Sequence, residues 1–294
     1  MRASIFGQDE NGGPNPVPGF GLQIQNQAVF GFTPEARYQA TFIEKKETFA
    51  DGTVVVLQKP VITLVDPYTS LPAGLMLSPR IATPVFGLGL LEAIPEQNIL
   101  AKQDINDTDG DGISGKANYV WDPVERRTIL GRFGWKANTG TLLVQCTAAY
   151  VEDMGITNYV FSRETGHGQS NGQDGHDDDP EIQRPIVDQV VLYCQTLAVP
   201  GPRNINNKSV KEGAKLFESL ECSKCHTPKQ MTGPSPISAL AFQTIYPYTD
   251  MLLHDMGEDL ADGRSDFLAS GREWKTRPLW GIGLTGLVNG HATF

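Results

Sequence analysis

The sequence predicts a mainly α protein of two helical domains with long loops, the first carrying a small N-terminal β-hairpin insertion. Three observations support this. Apolar residues recur at helical spacing in windows beyond residue 140, β-favouring runs are confined to a short stretch before residue 65, and one seven-residue pattern occurs twice. The two copies are Pro84-Val85-Phe86-Gly87-Leu88-Gly89-Leu90 and Pro278-Leu279-Trp280-Gly281-Ile282-Gly283-Leu284, each proline, apolar, aromatic, Gly, apolar, Gly, Leu. They imply two related domains, 1–200 and 201–294. Different continuations follow the copies, with a full helical segment after the first and almost nothing after the second, so the chain is expected to be truncated at both ends.

Residues 1–32, rich in Gly, Pro, Asn and Gln, read as an irregular arm hugging the surface. The runs 38–47 and 53–58 meet through Asp51-Gly52, a dipeptide suited to positive φ in a tight turn, and so predict a hairpin; 60–64 is a third short strand. An acidic loop follows over 104–115. Asp107, Asp109 and Asp111 alternate there and Gly112 follows, as in the first half of a calcium loop where oxygens converge and glycine permits the turn. Asn118 stands where such a loop is closed by Glu, which leaves both a calcium site and a solvated turn as readings. A helix is predicted over 141–154, then a hydrophilic loop over 163–181 in which His167 and His176 are solvated. Ile186, Val190, Tyr193 and Leu197 define an amphipathic helix over 185–197, with Cys194 off its apolar stripe. Residues 201–208 are the linker. Ser209 then caps a helix carrying Val210, Gly213, Leu216 and Phe217 on one face.

That helix delivers the chain to Cys222-Ser223-Lys224-Cys225-His226. Two thiols three positions apart can each add to a vinyl group of one haem, and the histidine after them is placed to ligate the iron. A zinc site is an alternative, but it would take a second close pair, and Cys146 and Cys194 are isolated. A thioredoxin-like pair is the other, and no βαβ pattern precedes the motif. A helix with a Gly-x-x-x-Phe face before this pentapeptide is how cytochrome c domains begin, and the resemblance named below implies two such cytochrome c-like domains. Cys222 lies 56 residues before Pro278; the same offset from Pro84 reaches Ala28, where no cysteine stands. One haem c site is therefore expected in this chain and two in the full-length protein.

Among 294 residues, 39% are hydrophobic and 20% charged, as in a globular chain with room for about two domains. The formal charge of −10 argues against nucleic acid or anionic membrane as partner. No apolar run approaches the ~18 residues of a membrane-spanning helix, so no transmembrane segment is expected. The N-terminus lacks the apolar core of a signal peptide, although c-type haem is normally attached outside the cytoplasm. An exported, periplasmic location is expected, with the signal not present in this chain.

With the haem motif, the repeat and the stretches GLGLLEAIPE, DGDGISG, GRFGWKA, DMGIT, LLHDMG and RPLWGIGL on the page, the sequence resembles the bacterial di-haem oxidoreductase family, distant relatives of the di-haem cytochrome c peroxidases. The resemblance covers residues 79–294. It implies a haem in each of two domains, with Cys222 and Cys225 as thioether anchors and His226 as proximal ligand of the C-terminal haem. In the relatives that haem passes electrons to an N-terminal haem that binds peroxide, a site this chain is expected to lack. A calcium held there by backbone carbonyls is similar in position to Thr276 and Pro278. The distal ligand is sought at Met256 or His254, with Met154 a candidate in the first domain. Trp135, Trp274 and Trp280 are candidates for an electron path or for core, and Arg132 and Lys136 for haem propionates; no catalytic side chain is singled out. The function implied is peroxide reduction with electrons from a small redox protein or a quinol-linked donor, the oxidant being peroxide or another small oxidant. The alternative is a non-catalytic mono-haem electron carrier or docking subunit.

Overall fold

The structure, a computed structural model, describes residues 1–171 and 178–289. Helices and strands each account for 23% of the residues, so the chain is not mainly α and that expectation is corrected. The reason lies in segments that carry no long periodic pattern. They were expected to be loops, but backbone groups that approach the interior need partners, and short antiparallel ladders supply them.

The N-terminal arm shows this first. It is organised by β1 (Arg2–Gln8), which pairs with β2 (Pro14–Asn15) on one side and with β5 (Met76–Ser78) on the other. Together they cover a small core of Ala3, Val17, Phe20, Ile24 and Ala36. Between them the chain makes one long ribbon of β3 (Arg37–Thr48) and β4 (Val54–Val65), in unbroken register from Arg37 opposite Val65 to Thr48 opposite Val54. The third strand expected at 60–64 is thus the near end of β4. Pro60 sits opposite Phe42 inside it, tolerated because both strands of a two-stranded ribbon are edges. Most of the ribbon is exposed on both faces, Phe42 and Ile43 at 59% each.

The main core is built by helices. After α1 (Leu88–Glu92), α2 (Glu96–Leu100) and the hairpin of β6 (Tyr119–Asp122) with β7 (Arg127–Leu130) come α3 (Leu142–Met154) and α4 (Arg184–Thr196). Thr141 caps α3 by accepting the Val144 N–H, and Gly155, left-handed at φ 70°, ends it. α4 begins with proline in its first turn, as its sequence predicts, but its buried stripe is displaced by one residue. Val187 and Val191 are buried and Val190, Cys194 and Gln195 half-buried, while Ile186 and Tyr193 are exposed. Cys194 therefore lies on the inward face. An amphipathic pattern fixes a helix more firmly than the rotation of its face when both flanks carry apolar residues.

The core cluster of Leu91, Ile94, Ile99, Leu130, Phe133, Leu142, Val187 and Val191 continues into Ile245, Met251 and Leu252. Backbone bonds bind the same regions: Lys116 and Leu253 exchange two, and Lys275 N donates to the Trp135 carbonyl. The C-terminal part consists of α5 (Lys208–Ser219), the pair β8 (Gln230–Met231) and β9 (Thr244–Ile245), the pair β10 (Leu253–Asp255) and β11 (Glu273–Lys275), and α6 (Thr285–Asn289). No helix among the described residues is long and apolar enough to cross a membrane.

The two copies of the seven-residue pattern pack against each other reciprocally. Gly87 and Gly281 are both left-handed, at φ 73° and 72°. A Cβ on Gly87 would meet the Trp280 ring at 2.5 Å, and one on Gly281 the Phe86 ring at 2.6 Å. Each copy thus presents its aromatic to the glycine of the other, and only glycine permits both the dihedral and the approach.

Candidate haem-attachment site

α5 starts at Asn207, whose side chain accepts the Ser209 N–H, two residues before the expected cap. Its apolar face is present as the periodicity predicts but none of its residues is buried. Leu216 is 54% and the following Leu220 71% exposed, and nothing approaches within 4 Å of where a Gly213 Cβ would be. Phe217 is half-buried because it packs edge-on against the rings of His226, at 6.4 Å, and Tyr248, at 5.5 Å.

Glu221, left-handed at φ 60°, turns the chain out of α5 into a single 3-10 turn, Cys222–Lys224. The turn closes with the His226 N–H donating to the Cys222 carbonyl, and both thiols are half-buried. A segment far along the chain supports it. Asp250 N donates to the Cys225 carbonyl and Thr249 N to that of Thr227. The His226 ring is oriented by its Nδ1, 3.0 Å from the Tyr248 carbonyl oxygen. Only a protonated Nδ1 can bond a carbonyl, so the proton is held there and Nε2 keeps its lone pair for a metal. The donor set of two accessible thiols, one oriented imidazole and an uncovered apolar helix face fits a covalently attached haem.

His254, on β10, is 7% exposed with both nitrogens engaged, Nε2 at 2.8 Å from Asp250 Oδ2 and Nδ1 at 3.6 Å from Cys225 Sγ. Burial, the largest effect on it, opposes the imidazolium; the hydrogen bonds and charge of Asp250, with Cys225, outweigh it and push the pKa up to about 10. Met256 is 49% exposed just beyond β10, and Met154, 56% exposed, ends α3.

The acidic loop is closed by a two-bond bridge between Asp104 and Gly115. Its clustered carboxylates are Asp104, Asp107 and Asp109, with oxygens within 4.8 Å of one another. Asp111 instead pairs with Lys224 of the pentapeptide at 2.9 Å, and that bond draws its carboxyl below the usual range. Asn118 is buried and spent on the Lys136 and Asp266 carbonyls and the Leu268 N–H. At the other calcium candidate, the Thr276 carbonyl accepts the Thr249 hydroxyl at 2.7 Å, while its own Oγ1 is buried without a partner. Cations flank that position. Lys275 is pushed down to about 7 by burial and then by Arg277, whose own pKa burial lowers to about 10.

Arg132 and Lys136 are committed elsewhere. Arg132 donates to the Leu91 and Ile94 carbonyls, and Lys136, fully buried, to Asp262 and to the Arg264 and Ser270 carbonyls. Trp135 and Trp274 stand edge to face at 6.1 Å, with Arg277 over the first ring and Lys136 over the second, both at 4.5 Å. Trp280 packs on the main core. His167 is exposed, and His176 lies outside the described residues. A cavity of about 520 Å³ between residues 25–35 and the end of α3 is lined by none of the haem-site residues.

Sequence reasoning did not find Tyr248, Asp250 or Asp104. Asp104 carries a weak local signal, an aspartate three positions before the alternating run. The other two reach the pentapeptide through a Tyr248 carbonyl and an Asp250 N–H brought in from more than twenty residues away, which no spacing rule reports, while the Asp250 carboxylate meets His254 only four residues on. No curated protein and no solved structure matches the chain. A family model described as "Di-haem oxidoreductase, putative peroxidase" matches residues 5–294, nearly the whole length, and the chain belongs to the di-haem oxidoreductase family.

Proposed function

We propose that the chain is a c-type haem oxidoreductase of peroxidase type, with haem c held at Cys222, Cys225 and His226. The observation that carries this is the Tyr248 carbonyl on His226 Nδ1, which leaves Nε2 as the free donor of the histidine that directly follows two half-buried cysteines in the chain. A haem bound here supplies reversible one-electron exchange, the electron-accepting half of a peroxidase-type reaction.

The chain's own residues position and tune. Cys222 and Cys225 would hold the ring edge, and the Asp250 and Thr249 N–H groups fix the turn that spaces them. Asp250 also holds His254 against Cys225, so that the positive member of this ion pair faces the site. Such a charge favours gain of an electron nearby. His254 is spent on these bonds, and Met256, 49% exposed just beyond β10, is the residue that would offer a thioether. A calcium ion in the acidic loop would draw on Asp104, Asp107 and Asp109, because Asp111 is taken by Lys224. The electron donor in this reading is a small redox protein or a quinol-linked donor, the oxidant is peroxide, and the location is outside the cytoplasmic membrane.

The test is covalent haem per chain, by pyridine haemochrome, after export in a host with c-type maturation. Wild type is expected to carry one covalent haem, and the Cys222→Ala/Cys225→Ala variant to lose it together with electron uptake from a reduced donor. Equal haem in both would overturn the assignment.

A further inference from the structure

We infer that Cys146 and Cys194 form a disulfide bridge joining α3 to α4. The two residues are 48 positions apart and unremarkable in the sequence, yet the packed helices α3 and α4 bring them together. Cys146 packs on the main core from α3, and Cys194 lies on the inward stripe of α4. Cys194 stands near enough to Cys146 to be, after burial, among the causes that raise its thiol pKa. Both are free and half-buried, and neither belongs to the attachment turn.

The same end of the helix pair is pinned by one carboxylate. Glu92 of α1 accepts the Leu142 N–H at the start of α3 through Oε1 and the Gln195 side-chain amide near the end of α4 through Oε2, both at 2.7 Å. Cys146 is one turn from Leu142, and Cys194 is adjacent to Gln195. Gly89 of α1 reinforces the fit, since a Cβ there would lie 2.2 Å from the Gln195 carbonyl oxygen. The helix ends that carry the thiols are therefore held in place by independent contacts. A disulfide takes Cα atoms about 4.4–6.8 Å apart, a spacing that facing positions on closely packed helices supply.

The oxidant is an external disulfide. The Cys194 thiolate attacks one of its sulfurs and expels the first thiolate, leaving a mixed disulfide; the Cys146 sulfur, losing its proton, attacks Cys194 Sγ and expels the second. Two protein thiols are oxidised by two electrons, and one external disulfide is reduced to two thiols. Burial, with Cys194 next to it, pushes the Cys146 thiol up to about 12, which makes the second step slow in the folded chain. The bridge is accordingly structural, made as the chain folds, rather than a rapid switch. It also serves the attachment site. Cys222 and Cys225 must stay unpaired to receive haem, and a bridge that consumes the other two cysteines removes their wrong partners.

The inference does not rest on the haem reading. The haem-loaded full chain, exported and incubated with excess oxidised glutathione, is denatured and alkylated before and after reduction, then mapped by peptide mass. The expected result is one linked pair of peptides, two hydrogens lighter than the thiol forms, alkylated at Cys146 and Cys194 only after reduction. The melting temperature should fall on the order of 5–10 °C on reduction, and Cys146→Ala/Cys194→Ala should be insensitive to reductant. Full alkylation at both positions before reduction, or glutathione adducts without the linked pair, would overturn it. Alkylation of Cys222 and Cys225 in either arm would count against haem attachment alone.

Discussion

At the scale of single residues, the structure places two unusual bases close to one carboxylate. His254 binds its proton more tightly in the folded chain than in the unfolded one, the pKa rising from 6.5 to about 10. Its contribution to stability is full below pH 6.5 and is lost as pH rises to about 10. Lys275 has the opposite sign. Burial lowers it from 10.5 to about 7, so the fold disfavours its charged form, and stability improves as pH rises between those values. The two windows overlap, and wild type should show a nearly flat melting temperature from pH 7 to 10. Substituting one base should unmask the other: His254→Gln is expected to gain stability with rising pH, and Lys275→Met to lose it. Thermal melts across that range decide the matter, and parallel profiles for the two variants would show that Asp250 does not hold a charged histidine.

At the scale of elements, α5 is a helix whose sequence pattern and surroundings disagree. Its apolar face is placed at regular spacing, yet Leu216 is 54% exposed. A face of this kind is uncovered until something apolar lies on it, and in the function proposed above haem at the adjacent turn is that cover. Leu216→Asp should therefore cost under about 0.5 kcal/mol in the haem-free chain, as at any exposed position. In the haem-loaded protein it should cost about 2 kcal/mol or more, because a carboxylate would then be desolvated. Chemical denaturation of both forms reads the difference, and equal costs would mean that haem does not cover this helix.

At the scale of the whole molecule, the stretch around residue 136 and the 262–270 loop are joined through one buried cation. Lys136 is fully buried against Asp262, which Ser78 and Arg80 also contact. Removing one partner of such a pair leaves a buried charge short of compensation, so Lys136→Met should lower stability by about 3 kcal/mol. Melting or denaturant titration checks this. A loss under about 1 kcal/mol would mean that water enters and solvates Asp262.

What the sequence by itself determined is local. The CSKCH turn, the helices over residues 141–154 and 185–197 and the Asp51-Gly52 hairpin turn depend on neighbours within a few positions, and spacing encodes such neighbours directly. The seven-residue repeat was legible too, as two copies of one pattern, though not as the reciprocal contact of Phe86 with Gly281 and Trp280 with Gly87. Tertiary structure alone decided the rest. It paired β1 with β5, turned α4 by one residue so that Cys194 lies on the face toward α3 and its Cys146, moved Asp111 from a metal loop to Lys224, and brought the Tyr248 carbonyl to His226. Each of these joins groups more than twenty residues apart. Their partners are chosen by which surfaces the packed chain leaves adjacent, and no periodicity in the sequence records that choice.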